Sequence, residues 1–327
     1  MYSAKTSDGL SASAAVMTPT ATLIGTANST ATVTFSLIDN AGTTVATASQ
    51  AANDPGCEPW GNRIYNRRPS HAPLCNAPPC NDVSYREGCA CIYMTGHCPL
   101  AYQRVVALNL TDIQLWSVAR PYMYTLQLAV SVDGAAVDSV VQNVGIRNLA
   151  WDAEQGLKVN EERVKMRGAC NHESFTGVGA ALPDRVDLLR VQQMRGVGMN
   201  AWRTSHNPPE PVLLDLTDRL GVLVLDENRV LATDLNCQGT GCMNVPAYAG
   251  DPAADMGALA KRDRNHPSVA WYSLCNEAGC GNGTLLEGDL IERAKEASYS
   301  NDGSRSVGAN MGWISPVSPR TPMSDAL

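Results

Sequence analysis

Phenylalanine is almost missing from these 327 residues, with 2 against 6 Trp and 10 Tyr. Any aromatic lining of a cleft must therefore come from Trp and Tyr, which carry a polar tip beside their apolar ring. Long apolar runs are missing as well: no stretch nears the ~20 residues of a membrane-spanning helix. Met1 to Leu10 is polar and lacks the apolar segment of a secretory leader. Positive charge is in deficit, 25 Lys and Arg against 32 Asp and Glu, giving a net charge of −7. That balance argues against nucleic acid or an anionic membrane as the main partner. An uncharged ligand such as a sugar fits it without being required by it.

Cysteine is plentiful instead, at 11 residues. Cys57, Cys75, Cys80, Cys89, Cys91 and Cys98 fall in one Pro- and Asn-rich stretch. An even number of cysteines in a loop-like segment reads as a disulfide framework. The competing reading is a zinc site built from Cys89, Cys91, Cys98 and His97, against which stands the lack of paired Cys-x2-Cys spacing. Cys237 with Cys242, and Cys275 with Cys280, share one spacing and offer further pairs, or buried free thiols in the case of Cys275. Sequons begin at Asn28, Asn109 and Asn282 and matter only in a secreted chain. The cysteine content favours an extracellular or other oxidising compartment.

Residues up to about 150 alternate with period two. Thr32 to Ile38, a turn at Asp39-Asn-Ala-Gly42, and Thr43 to Thr47 read as strand, turn and strand. Tyr102 to Leu110, Tyr124 to Val132 and Val137 to Val144 repeat the pattern, with Asp133-Gly134 as a hairpin signal. No helical period interrupts them, which predicts an antiparallel β-sandwich.

After Trp151 the pattern changes. Val164 to Gly168 reads as a short strand, followed by a helix opening at Pro183 with Asp184 as candidate cap. Val186, Leu189, Met194 and Val197 recur at near-helical spacing. Met199 to Ser205 is a second strand. Pro211 to Leu220 is a helix with Leu213, Leu216 and Leu220 on one face and Gly221 as its stop. Val222 to Leu225 is a continuously apolar strand, as expected when both faces are covered. A helix over Asp255 to Asp263, a strand over Val269 to Cys275, a helix over Leu285 to Ser298 and a strand over Arg305 to Met311 follow. Strand–helix alternation means a parallel sheet, barrel or doubly wound. Polar pairs close each strand: Asn171-His172, Ser205-His206, Asp226-Glu227 and Asn276-Glu277.

Four ordered segments carry a resemblance. Val164-Lys-Met-Arg-Gly-Ala-Cys-Asn-His172 is similar to the first barrel strand of family 2 glycoside hydrolases, and Asn200-Ala-Trp-Arg-Thr-Ser-His-Asn-Pro208 to the second. Leu216 to Glu227 resembles the helix and third strand that follow, and Arg262 to Glu277 the segment ending in the Asn-Glu pair that carries the acid/base. The Arg-Thr-Ser-His-Asn-Pro-Pro wording resembles the β-galactosidase branch. The resemblance implies an immunoglobulin-like β-sandwich over 1–148, with the cysteine-rich insertion at about 54–100, and the first part of a (β/α)8 TIM barrel over 149–327. It places the family's jelly roll, and the strand bearing the nucleophile, outside this chain. The implied activity is retaining hydrolysis that releases terminal β-galactose, with β-glucuronidase or β-mannosidase specificity and a non-catalytic carbohydrate-binding remnant as alternatives. The isolated chain is expected to be inactive. No cofactor is implied, and a homo-oligomer of the full-length enzyme is left open.

Residue by residue, the resemblance makes Glu277 the acid/base, against a bland reading as a strand-end Glu paired with a neighbouring Arg. Asn276 would bond the sugar 2-hydroxyl, or else cap a turn. His172 and His206 would contact sugar hydroxyls rather than serve as satisfied structural histidines. Arg203 would orient the nucleophile, and with that partner absent it is expected to pair with Glu277 or Asp226. Asp226 and Glu227 receive a supporting role. Some family members hold magnesium through a Glu-x-His after the Asp-Glu pair. Here Asn228-Arg-Val-Leu-Ala232 supplies no such ligands, so no metal is expected.

One expectation needs only the sequence. At least two disulfides should form within Cys57 to Cys98, because a stretch too polar to build a core needs cross-links in its place. Thiol counting on protein made in an oxidising host should find few free thiols there; six reactive ones, or stoichiometric zinc, would overturn it.

Overall fold

The computed structural model describes residues 2–5, 11–25, 31–51, 100–152, 154–228, 252–274, 276 and 289–308. The cysteine-rich insertion, the two later cysteine pairs and Glu277 lie outside the described residues. Up to residue 144 the described chain is strand and turn: β1 (Tyr2–Lys5), β2 (Ser11–Met17), β3 (Thr20–Gly25), β4 (Ala31–Ile38), β5 (Thr44–Ala51), β6 (Leu100–Val105), β7 (Leu108–Gln114), β8 (Tyr124–Val132) and β9 (Ala135–Val144). They form sheets ordered β5-β4-β8-β9, β3-β6 and β1-β2-β7.

Period two is visible in β4, where Val33, Phe35 and Leu37 are buried. The intervening Thr34 and Ser36 hydroxyls bond Ser49 at 2.8 Å and Thr47 at 3.1 Å across the antiparallel pair. Asp39 closes the turn by accepting from the Ala41 and Thr43 amides. At the β8–β9 hairpin Asp133 (φ 50°) and Gly134 (φ 81°) both take the left-handed conformation that a tight type I′ turn needs. One reading is corrected. Tyr102 to Leu110 is not a single strand but β6 and β7, which pair in different sheets. Val106, Leu108 and Leu110 are all buried, so the inward–outward alternation runs straight through the break and cannot reveal that the hydrogen-bonding partners change.

By compactness the described chain falls into two units. One comprises Met17–Leu108 and Leu126–Gln142; the other comprises Met1–Val16, Asn109–Thr125 and Asn143–Leu327. The second unit contains an antiparallel meander that the periodicity did not announce: β10 (Leu149–Asp152), β11 (Gly156–Val159) and β12 (Glu162–Arg163).

Next come β13 (Gly168–His172), α1 (Asp184–Gly196), β14 (Ala201–Ser205), α2 (Pro211–Leu220), β15 (Leu223–Glu227), α3 (Pro252–Asp263), β16 (Val269–Ser273), α4 (Asp289–Asn301) and β17 (Val307–Gly308). The five strands pair in parallel and in chain order. A doubly wound sheet reverses strand order at a switch point, and these strands do not, so barrel order is what is present.

Three local expectations are corrected. The first barrel strand begins at Gly168, after rather than within Val164 to Arg167. Helix α1 starts at Asp184 itself, with Pro183 in the cap position and no side-chain cap. Its buried stripe is Asp187 and Val191, with Met194 packed beside them, while Leu189 and Val197 fall on the outer face. In α2 the buried residues are Leu213, Leu214, Thr217 and Asp218. Thr217 and Asp218 are tolerated there because each is bonded: Thr217 Oγ1 lies 3.0 Å from Ser268 Oγ, and Asp218 accepts from the Ser268 amide and from His266 Nδ1.

Two apolar clusters flank the parallel sheet. Trp202, Val224, Val269 and Tyr272 pack against Leu214, Met256 and Ala294 of the helices. Ala201, Leu223 and Ala270, near the strand beginnings, pack against Trp116, Leu157 and Val159. Trp116 is fully buried; its indole donates to the Asp218 carbonyl at 2.8 Å, and its own carbonyl accepts from Asn160.

Gly221 ends α2 as expected, with φ 68°, and a Cβ there would lie 2.4 Å from the Val118 carbonyl oxygen. Gly221→Ala is expected to cost about 1–3 kcal/mol, since both the backbone conformation and the space exclude a side chain. Denaturant unfolding of the two proteins side by side checks this, and matching midpoints would refute it.

Candidate active site

The polar ends of the parallel strands converge. In β14, Trp202 joins the helix-side cluster, so strand alternation sends Arg203 to the opposite, interior face. Glu227 ends β15 with no solvent exposure. One of its oxygens, Oε2, accepts from Arg203 Nε at 2.8 Å, Arg203 Nη2 at 2.6 Å and Ser273 Oγ at 2.8 Å. The other, Oε1, meets His206 Nδ1 at 2.6 Å. Thr204 Oγ1 accepts from the Glu227 amide at 2.8 Å.

Arg203 is the hub. Its Nη2 also donates to Asn276 Oδ1 at 2.8 Å, and Nη1 reaches Cys170 Sγ at 3.3 Å. Burial works against the Arg203 cation, but the bond to Glu227 and its charge outweigh that, and the pKa is held above its ordinary value. The rings of His206 and His172 lie edge to face with centroids 5.1 Å apart. Strands β13, β14, β15 and β16 thus each bring a polar group to one place. A fixed cation, a carboxylate, two histidines and an amide are thus gathered at the strand ends, where a barrel places its site.

Residues 153–314 match the family description "Glycosyl hydrolases family 2, TIM barrel domain", and residues 93–147 match a second "Glycosyl hydrolases family 2" description. The chain belongs to glycoside hydrolase family 2. Among curated relatives of the family, it is 36% identical over 171 residues to a β-galactosidase of Bacteroides ovatus, covering 52% of this chain and 20% of that protein. It is 32% identical over 178 residues to a β-glucuronidase of Streptococcus agalactiae, covering 52% of this chain and 30% of the relative. The match therefore spans a third or less of these relatives' own length. Two solved structures share the fold. A family 2 glycosyl hydrolase from Bacteroides cellulosilyticus gives a TM-score of 0.66 at 22% identity, over 96% of this chain and 36% of that one. A β-glucuronidase from Bifidobacterium dentium gives 0.66 at 20%, over 91% and 40%.

Arg203, His206 and Asn276 come together in one hydrogen-bonded cluster, and His172 touches it through its ring. Glu277 adjoins Asn276 in sequence, outside the described residues. The expected pairing of Arg203 with Asp226 is corrected: among the described residues its carboxylate partner is Glu227, because successive residues of a strand point to opposite faces, and the Glu277 alternative lies outside them. Reading residue types alone also missed Cys170 and Ser273, which lie within the family-like segments but were given no role, and Glu173, which accepts from Asn207 Nδ2 and the Glu210 amide. Burial raises the Glu173 pKa. A cavity lined by His172, Glu173, Arg190, Trp202 and Asn207 lies beside the cluster, and Arg203, Glu227 and Asn276 are not among its walls.

Asp226 is fully buried, and taken as ionised it has no donor at either oxygen among the described residues. Burial pushes its pKa well above the ordinary value, and the neighbouring Asp263 pushes it the same way, against the Arg262 and Arg305 charges. The raised value favours the protonated form of Asp226 beside Asp263, whose carboxyl Arg262 holds twice at 2.7 Å. A raised folded-state pKa gives stability that is complete below the ordinary value of about 3.9 and is lost as pH rises through the folded value. Asp226→Asn keeps a donor for Asp263 and removes the ionisation. It should match the parent near pH 4 and gain about 1–3 kcal/mol near pH 8. Melting curves across that range check it, and a variant that loses stability at pH 8 would show Asp226 to be ionised and satisfied.

Proposed function

We propose that this chain carries the acid/base half of a retaining β-glycosidase site that releases terminal β-galactose. The observation that supports this most is the Arg203–Glu227–His206 cluster bonded to Asn276, the residue before Glu277. In this reading Glu277 protonates the glycosidic oxygen as the bond to the aglycone breaks. It then removes a proton from the water that attacks the glycosyl-enzyme. Asn276 bonds the 2-hydroxyl, where the interaction strengthens as positive charge develops at the anomeric carbon. His172 and His206 bond other hydroxyls, and Arg203 faces the nucleophile carboxylate. No step calls for a cofactor.

A second reading, β-glucuronidase, is favoured by the streptococcal relative. A glucuronide carboxylate calls for a cation with donors to spare. In the described cluster Arg203 already donates to Glu227, Cys170 and Asn276, which supports a neutral sugar. Relative kcat/KM on aryl β-galactoside, glucuronide and mannoside, measured on a polypeptide carrying the whole barrel, should favour the galactoside; preference for either rival would replace the assignment.

Retaining hydrolysis needs two carboxyl groups about 5–5.5 Å apart, and only one is identifiable here. The 327-residue chain alone should therefore be inactive. With the whole barrel, Glu277→Ala should slow hydrolysis about 10²–10⁴-fold, most for poor leaving groups, with partial rescue by azide. Hydrolysis by the 327-residue chain that survives Glu277→Ala would sink both the acid/base assignment and the expected inactivity.

A further inference from the structure

We infer that Glu227 is the positioning residue of this site: it fixes the tautomer of His206, so that Nε2 faces a ligand as a hydrogen-bond acceptor, and it holds Arg203 against Asn276. The functional part of this rests on the reading of His206 and Asn276 as sugar contacts; the tautomer does not.

The argument turns on which oxygen meets which donor. Arg203 and Ser273 deliver three donors to Oε2, so that oxygen can only accept. Oε1 faces His206 Nδ1 at 2.6 Å, a separation that requires a proton between oxygen and nitrogen. The adjacent Arg203 charge keeps the proton off the carboxyl and on the ring. Arg203 Nη2 also approaches His206 Nδ1, but at 3.4 Å, too long to compete. With Nδ1 the donor, Nε2 of the neutral ring is the acceptor, and among the described residues no group bonds it. A sugar hydroxyl is a suitable donor for it.

The same geometry separates Glu227 from a carboxylate that merely fills space. Glutamine is isosteric, but its two ends differ. Its carbonyl must take the Oε2 place, because the two Arg203 N–H groups there can only donate. Its NH2 must then face His206 Nδ1, which forces the ring proton to Nε2 and turns the ligand-facing nitrogen from acceptor to donor.

The test is nitrogen NMR of the 327-residue chain, whose 5 histidines make His206 assignable through the signal lost in His206→Gln. At a pH where the ring is neutral, the parent should show a protonated Nδ1 and an unprotonated Nε2. Glu227→Gln should reverse the pattern, while Ser273→Ala, which touches only Oε2, should leave it unchanged. A parent with the proton on Nε2 overturns the inference, and this measurement stands even if the Gln variant does not fold. So does a folded Glu227→Gln protein that keeps the parent pattern. In the polypeptide with the whole barrel, Glu227→Gln should lower kcat/KM by about 10–100-fold through misplacement of groups it does not itself present to substrate. The expected tautomers without any glycosidase activity would remove the proposed function and leave the positioning role; activity with the wrong tautomer would do the reverse.

Discussion

A carboxylate with no access to water has to be surrounded by donors, and Glu227 is such a group. An unpaired buried charge costs several kcal/mol, so Glu227 can be present only if Arg203, His206 and Ser273 are held where they are. Those three residues come from β14, the turn after it, and β16. The requirement of one charge therefore sets the relative depth of three neighbouring strands and the direction of their last side chains. Asn276 is drawn in through Arg203, which puts the start of the Asn-Glu segment at the same level.

The opposite ends of the strands are arranged on another principle. There Ala201, Leu223 and Ala270 meet Trp116, Leu157 and Val159 in an apolar layer. Arg147 donates to the carbonyls of Pro267 and Val269, and Arg305 to those of Val269, Arg264 and His266. These bonds satisfy backbone groups at the entry to β16 and tie β17 beside it. Asp218 adds a link from α2 to the same place through His266 and the Ser268 amide. Burial lowers the His266 pKa, but the Asp218 hydrogen bond and charge outweigh it and the net shift is upward. Backbone-satisfying bonds at the strand beginnings and a polar cluster at the strand ends is the division expected of a barrel.

Much of this was readable from residue order. Strand–helix alternation, the glycine stop at Gly221 and the polar strand ends are local patterns, and local patterns survive in a single sequence. What escaped depended on partners distant in the chain. Period two cannot tell that β6 and β7 lie in different sheets, because alternation continues through Val106, Leu108 and Leu110. Helical spacing could not choose between the stripes of α1, since that face is decided by Arg190, which lies over the Trp202 ring, donates to the His172 carbonyl and pairs with Asp187. Nor could spacing single out Glu227: an Asp-Glu pair at a strand end looks like two equivalent acids.

They are not equivalent, and the reason is the pleat of the strand. Consecutive side chains point to opposite faces, so Asp226 and Glu227, one residue apart and both fully buried, enter different surroundings. Glu227 enters the barrel interior, where Arg203, His206 and Ser273 meet its two oxygens. Asp226 enters the helix side, where Asp263 has already claimed Arg262 and, among the described residues, a second negative charge would find no donor. One carboxyl therefore meets donors at both oxygens, while burial and Asp263 push the pKa of its neighbour upward. Here the split is made by geometry alone. Shifting β15 by a single residue would exchange the two environments, placing the shorter Asp226 side chain where Arg203 and His206 wait and leaving Glu227 as an unmatched charge against Asp263. The bonds from Thr204 and Ser273 to Glu227 oppose such a slip, so the groups that orient this carboxylate also hold the register on which its chemistry depends.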